Sequence, residues 1–128
     1  MFLDTSIIIE IFRNDKNSKT FQEIYTYIKD EPIFISLIQI GEIADWCLKN
    51  HIDPEKRIAK LKQILNVIPV NEKICYDAAH LKYTIRSKGV TKFGLLDGIV
   101  LASARSINQR LLTTDTDFRT INDAVIIR

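Results

Sequence analysis

Five short, largely apolar stretches, separated by longer segments with helical or turn spacing, constrain this chain more than anything else in it. They are Met1 to Asp4, Ile33 to Ile35, Val67 to Val70, Arg110 to Thr113 and Ala124 to Ile127. Strands separated by helices cannot pair as hairpins. They pair side by side in one direction, with the connecting helices laid over both faces. The expected fold is therefore α/β: a three-layer α/β/α sandwich around a central parallel sheet of about five strands. With 128 residues, no linker and no repeat, one domain over 1–128 is expected.

The intervening segments carry helix signals. A helix is expected from Ser6 to Arg13, then a polar break from Asn14 to Ser18. Phe21, Ile24, Tyr25 and Ile28 recur at helical spacing within 20–30, and Pro32 closes that element. Ser36 is placed to cap a helix running to about Asn50, with Ile40, Ile43, Ala44, Cys47 and Leu48 on one face. Asp53-Pro54 starts a basic helix carrying Lys56, Arg57, Lys60 and Lys62 to about Leu65. Pro69 points to an edge position for the third strand, because proline cannot donate to a ladder. Asn71 caps a long helix ending near Gly89, and 95–107 forms another, whose Gly98, Ala102, Ser103 and Ala104 permit close packing. A short helical turn is expected over 117–121.

Composition excludes several classes. No run of about 18 apolar residues is present, so no membrane helix is expected. Asp4 and Glu10 interrupt the first apolar run and no basic stretch precedes it, unlike a secretory signal; a cytoplasmic location is expected. Cys47 and Cys75 lie in helical contexts without a CxxC pair and are expected to be buried free thiols. His51 and His80 have no convergent partners and are expected to be surface or packed residues. The net charge is only +2, yet Ala78 to Leu96 contains no acid and holds Lys82, Arg86, Lys88 and Lys92. That window is either a solvated face or a nucleic-acid contact. Trp46 is either core or an aromatic at a dimer interface.

Four acids stand out on this scaffold. Asp4 follows the first strand and Asp115 the fourth, in RLLTTDTDF. Glu42 sits on the helix after the second strand, roughly 9 Å along the axis from Ser36. Asp97, in GLLDGIVLASA, opens the helix that feeds the fourth strand. Ligands of open parallel sheets bind beyond the carboxyl ends of the strands, where the winding reverses. Each acid alone has a structural reading as cap, turn or solvated residue. Gathered at one rim they would repel and raise one another's pKa unless a cation compensates. An all-oxygen set without histidine or thiolate points to Mg²⁺ or Mn²⁺ rather than Zn²⁺. Hydrolysis of a phosphodiester is the chemistry such an ion serves.

The four motifs FLDTS, IxxGEIAD, LLDGIVLASA and LLTTDTDF, in this order and spacing, resemble the PIN-domain ribonucleases. Length and short loops are similar to the VapC-type toxin branch of toxin–antitoxin modules. The resemblance covers essentially the whole chain and implies an Mg²⁺- or Mn²⁺-dependent endoribonuclease. It implies Asp4 and Asp97 as principal metal ligands, Asp115 as a further ligand and Glu42 completing the catalytic pocket. Thr5, Ser6, Thr113 and Asp117 would support these acids; Asp115, two residues after Thr113, fits the family's TxD pattern better than Asp117. Lys82, Arg86, Lys88 and Lys92 would contact RNA. The implied partners are an RNA substrate, a cognate antitoxin and a second copy of the chain, with no membrane.

Three rival readings follow from the residues. Asp115-Thr116-Asp117 matches the DxD of haloacid-dehalogenase-like phosphatases, but it follows the fourth strand rather than the first. A receiver domain would need paired acids after the first strand and a lysine after the last. A catalytically silent RNA- or protein-binding module of the same fold is the non-enzymatic alternative.

Overall fold

The computed structural model describes residues 1–13 and 15–128, so Asn14, the first residue of the expected polar break, lies outside the described residues. Five strands form one parallel sheet: β1 (Phe2–Leu3), β2 (Phe34–Ser36), β3 (Asn66–Ile68), β4 (Leu111–Thr113) and β5 (Ala124–Ile126). Their order is β3-β2-β1-β4-β5. Six helices connect them: α1 (Thr5–Arg13), α2 (Lys19–Ile28), α3 (Leu37–Lys49), α4 (Pro54–Leu61), α5 (Glu72–Ser87) and α6 (Leu95–Ser106). The chain winds outward from β1 through β2 to β3, then returns to the other side of β1. The winding therefore reverses between β1 and β4.

Strand side chains alternate between two buried faces, which is why the strands read as nearly continuous apolar runs. Met1, Leu3, Ile35 and Leu112 point to one core, shared with Ile7 and Ile8 of α1, Ile24 of α2, Ile43 and Cys47 of α3 and Leu61 of α4. Phe2, Leu111 and the half-buried Phe34 and Ile126 point to the other, with Ile85 of α5 and Val100, Leu101 and Ala104 of α6. Four helices thus cover one face and two cover the other: the expected three-layer sandwich. Trp46 packs on the first core, its ring 5.9 Å from that of Phe12. Among the described residues no helix is long and apolar enough to cross a membrane.

The small-residue stripe of α6 lets it meet α5 closely. A Cβ on Gly98 would stand 2.6 Å from the backbone oxygen of Ala78, closer than van der Waals contact allows. Gly89, with φ of +95°, follows α5 in the left-handed region that glycine adopts at no steric cost.

Several local expectations need correction. The helix expected to reach Leu65 ends at Leu61. Gln63 and Ile64 donate to carbonyls three residues back, a tightened turn that leaves Ile64 outside and buries Leu65 in the first core. That turn delivers the Asn66 amide to the Ile33 carbonyl at 2.9 Å, so β3 starts one residue early. Pro69, without an N–H, follows β3, which is an edge strand as expected. The helix expected from Ser6 begins at Thr5, and the turn expected at 117–121 is a 3₁₀ turn over Thr116–Phe118. Cys47 is buried, but Cys75 is exposed. Ile74, Ala78 and Ile85 form the buried stripe of α5, which turns Cys75 outward.

Candidate active site

The reversal point lies at the carboxyl ends of β1 and β4. The ladder pairs Leu3 with Leu112, and the Asp4 amide donates to the Leu112 carbonyl at 2.9 Å. Asp4 and Thr113 therefore emerge side by side. The Thr113 hydroxyl donates to Asp4 Oδ2 at 2.7 Å, and the Ser6 hydroxyl donates to the same oxygen at 3.0 Å. Each hydroxyl also accepts a backbone amide from the strand exit: Thr114 N–H to Ser6 at 3.1 Å, and Asp115 N–H to Thr113 at 2.9 Å. Ser6 and Thr113 thus hold Asp4 and the loop carrying Asp115 in one network. The Thr5 and Ser6 hydroxyls both donate to carboxylates, Glu42 and Asp4.

Asp97 reaches the rim from the first turn of α6. Its Oδ2 accepts the Gly94 amide at 2.8 Å, closing the helix start. Asp115 Oδ1 accepts the Asp117 amide at 2.8 Å and caps the 3₁₀ turn. Glu42, on α3, has Oε1 bonded by the Thr5 hydroxyl at 2.9 Å. The structural readings of Asp97 and Asp115 are therefore realised, and each still carries a second carboxylate oxygen.

Electrostatics ties three of these acids together. Burial pushes the Asp4 carboxyl above its ordinary range; the bonds from Thr113, Ser6 and the Thr5 backbone oppose this, and the charge of Asp115 adds to it. Burial also raises Asp97, the Gly94 amide opposes, and the charges of Asp115, Asp4 and Asp117 raise it further. The rim is a place where negative charge is costly without a counter-ion. As the side chains stand, no three His, Cys, Asp or Glu groups among the described residues share one metal position. That donor set still fits Mg²⁺, which is typically held by one or two carboxylates and keeps several waters.

Among the described residues, Lys82, Arg86, Lys88 and Lys92 make no hydrogen bond or ion pair to the four acids. Arg86 donates from Nε to the Phe93 carbonyl at 2.7 Å, bracing the loop that leads to Asp97. Lys82 is on α5, Lys88 caps its end, and Lys92 is exposed on the following turn. A groove of about 700 Å³ between α5 and α6 includes His80 and none of the four acids. Its charges are already paired, Lys73 with Asp77 at 2.8 Å and Arg105 with Asp123 at 2.7 Å.

Sequence reasoning missed Gln39. It is fully buried on α3 and bonds to the Ser36 N–H, the Leu3 carbonyl and the Thr5 hydroxyl. The spacing Ser36-x-x-Gln39 is a capping-box signal and could have flagged the residue.

The chain belongs to the PIN domain family, whose pattern matches residues 1–124. Its fold is similar to that of a toxin–antitoxin complex from Klebsiella pneumoniae, with 26% identity over 97% of this chain and 94% of that one, at a TM-score of 0.75. VapBC-1 from nontypeable Haemophilus influenzae aligns at 24% identity over 96% and 92% of the two chains, with a TM-score of 0.72. VapBC2 from Rickettsia felis, bound to a DNA fragment from its promoter, aligns at 21% over 98% and 95%, with a TM-score of 0.68. No curated protein matches the chain. Family membership supports a nuclease of the PIN type.

Proposed function

We propose that this protein is an Mg²⁺- or Mn²⁺-dependent endoribonuclease, acting as the toxin of a toxin–antitoxin pair. The observation that carries the reading is the network that holds Asp4 and the Asp115 loop together at the reversal point, with Asp97 raised by the charges of both acids. Burial and mutual repulsion there raise Asp4 and Asp97, and a divalent cation would relieve both. Asp4 and Asp97 would hold the ion, with Asp115 as a further ligand and Glu42 beside them. Such an ion supplies an activated water and offsets charge developing on a phosphate.

The chain's own groups do the rest. Ser6 and Thr113 hold Asp4 through Oδ2. The Gly94 amide fixes Asp97 through Oδ2, and the Asp117 amide fixes Asp115 through Oδ1. Preorganised carboxylates of this kind avoid reorganisation when charge moves. Lys82, Lys88 and Lys92 would attract the RNA backbone, and Arg86 would do so with the guanidinium nitrogens left free of Phe93. A single compact unit over 1–128, a homodimer, and inhibition by an antitoxin seated on the chain complete the proposal; the toxin–antitoxin neighbours support the last.

A fluorogenic RNA assay with Mg²⁺, with Mn²⁺ and with EDTA tests this reading. Cleavage in either metal that EDTA abolishes is expected. No metal-dependent cleavage, at concentrations where the dimer forms, favours a catalytically silent binding module.

A further inference from the structure

Resting on the nuclease reading above, we propose that Gln39 is a positioning residue whose buried amide aims the Thr5 hydroxyl at Glu42. Gln39 is 0% exposed, and its contacts to Ser36 and Leu3 are fully buried, where direction matters. Its Oε1 accepts the Ser36 amide at 2.7 Å, and its Nε2 donates to the Leu3 carbonyl at 2.8 Å. These two bonds fix which way round the amide lies. Reversed, its NH₂ would face an N–H and its oxygen would face a carbonyl.

With that orientation set, the second hydrogen of Nε2 points at Thr5 Oγ1, 3.3 Å away. A hydroxyl that accepts from an amide has its own hydrogen free to donate elsewhere. The Thr5 hydroxyl donates to Glu42 Oε1 at 2.9 Å. One amide therefore connects the residue before Asp4, the residue after Asp4, and Glu42. Capping alone does not require this residue type. Glutamate serves equally well at the third position of a capping box, but it has no hydrogens to give Leu3 or Thr5. A neutral amide is the side chain that can accept from Ser36 and donate twice toward the acids.

The test compares wild type with Gln39→Met, Gln39→Glu, Thr5→Val, Thr5→Ser and the Gln39→Met/Thr5→Val pair. Three quantities are read: kcat and KM for a fluorogenic RNA, Mn²⁺ affinity by electron paramagnetic resonance, and the thermal midpoint. Gln39→Glu keeps the Ser36 contact and replaces both donors with an ionisable carboxyl oxygen, so it serves where Gln39→Met melts without cooperativity. The expected result is a kcat or Mn²⁺ affinity about 10-fold lower in Gln39→Met and in Thr5→Val, with KM for RNA little changed. Thr5→Ser, which restores a hydroxyl, should recover the loss. The double variant should lose no more than the worse single one, because both break the same relay.

A purely structural Gln39 would lower the thermal midpoint and leave kcat and Mn²⁺ affinity at wild-type values; that result overturns the proposal. So do losses that multiply in the double variant, or Gln39 variants none of which fold. If wild type cuts no RNA, the nuclease reading fails by itself and the Mn²⁺ measurement alone decides the role of Gln39. Wild type that neither cuts RNA nor binds Mn²⁺ removes both.

Discussion

The rings of Phe93 and Phe118 meet edge to face, with centroids 5.3 Å apart and planes at 77°. Phe93 precedes the Gly94–Asp97 cap, and Phe118 ends the 3₁₀ turn capped by Asp115. One aromatic contact therefore ties the approach to Asp97 to the exit from Asp115. Both rings are fully buried. A double-mutant cycle with Phe93→Leu and Phe118→Leu should give a coupling energy of about 0.5–1.5 kcal/mol in chemical denaturation. Either single variant should also slow RNA cleavage at temperatures where it remains folded. Additive effects on stability would show that the two loops are held independently.

Raised carboxyls set the pH response. Asp4 and Asp97 bind protons more readily when folded than when unfolded, so their ionisation costs the native state. The sign follows by linkage. Without metal, their contribution favours the folded state as pH falls toward the ordinary carboxylate range. It turns unfavourable as pH rises past their raised values. Asp97→Asn should therefore melt at or above the wild-type temperature at neutral pH in EDTA. Mn²⁺ should raise the wild-type midpoint at pH 7 and do so less as the pH is lowered, because protons compete for the same oxygens. A wild-type midpoint insensitive to Mn²⁺ at neutral pH would count against the site.

Substrate affinity should depend on salt. Replacing Lys82, Lys88 and Lys92 by glutamine should weaken RNA binding across sequences. It should also flatten the slope of log affinity against log salt by about 2, at about 0.7 for each contact to single-stranded phosphate. Fluorescence anisotropy in an EDTA buffer measures this without cleavage. An unchanged slope would make this face a solvated one.

Packing of α6 on α5 should be intolerant of one methyl group. Gly98→Ala forces a Cβ against the Ala78 backbone and should cost about 1–3 kcal/mol in urea denaturation. Because Asp97 is the preceding residue, the same shift should lower cleavage. Gly41→Ala is the control: a Cβ there meets nothing within 4 Å, so stability should hold or rise slightly.

The strands, the helices and the acids at the strand ends were legible because they depend on local pattern. Apolar runs of three or four residues between helical periods specify a parallel sheet; Asp4 ends the first of those runs and Asp115 lies two residues beyond the fourth. The loss of the helix after Leu61 was not legible, because the need to bury Leu65 and place Asn66 beside Ile33 arises from the sheet. Cys75 was misplaced for a similar reason: its neighbours look apolar, but Ile74 and Ala78 take the buried face. Gln39 was overlooked because two of its bonds cross 36 and 34 residues of sequence to Leu3 and Thr5. Local reading sees only its capping box. The hydroxyls of Ser6 and Thr113 were expected to support the acids by resemblance, and their shared grip on Asp4 Oδ2 is visible only once β1 and β4 are paired.

The most direct measurement is metal-dependent RNA cleavage by wild type and Asp4→Asn at equal concentration, with a thermal melt of each. EDTA-sensitive cleavage by wild type is expected. The Asp4→Asn variant should fold cooperatively and cut at a rate lower by more than the 10–100-fold that typically follows loss of a ligand's hydrogen-bond partner. A folded Asp4→Asn variant that cuts RNA as fast as wild type would contradict the metal-ligand role of Asp4.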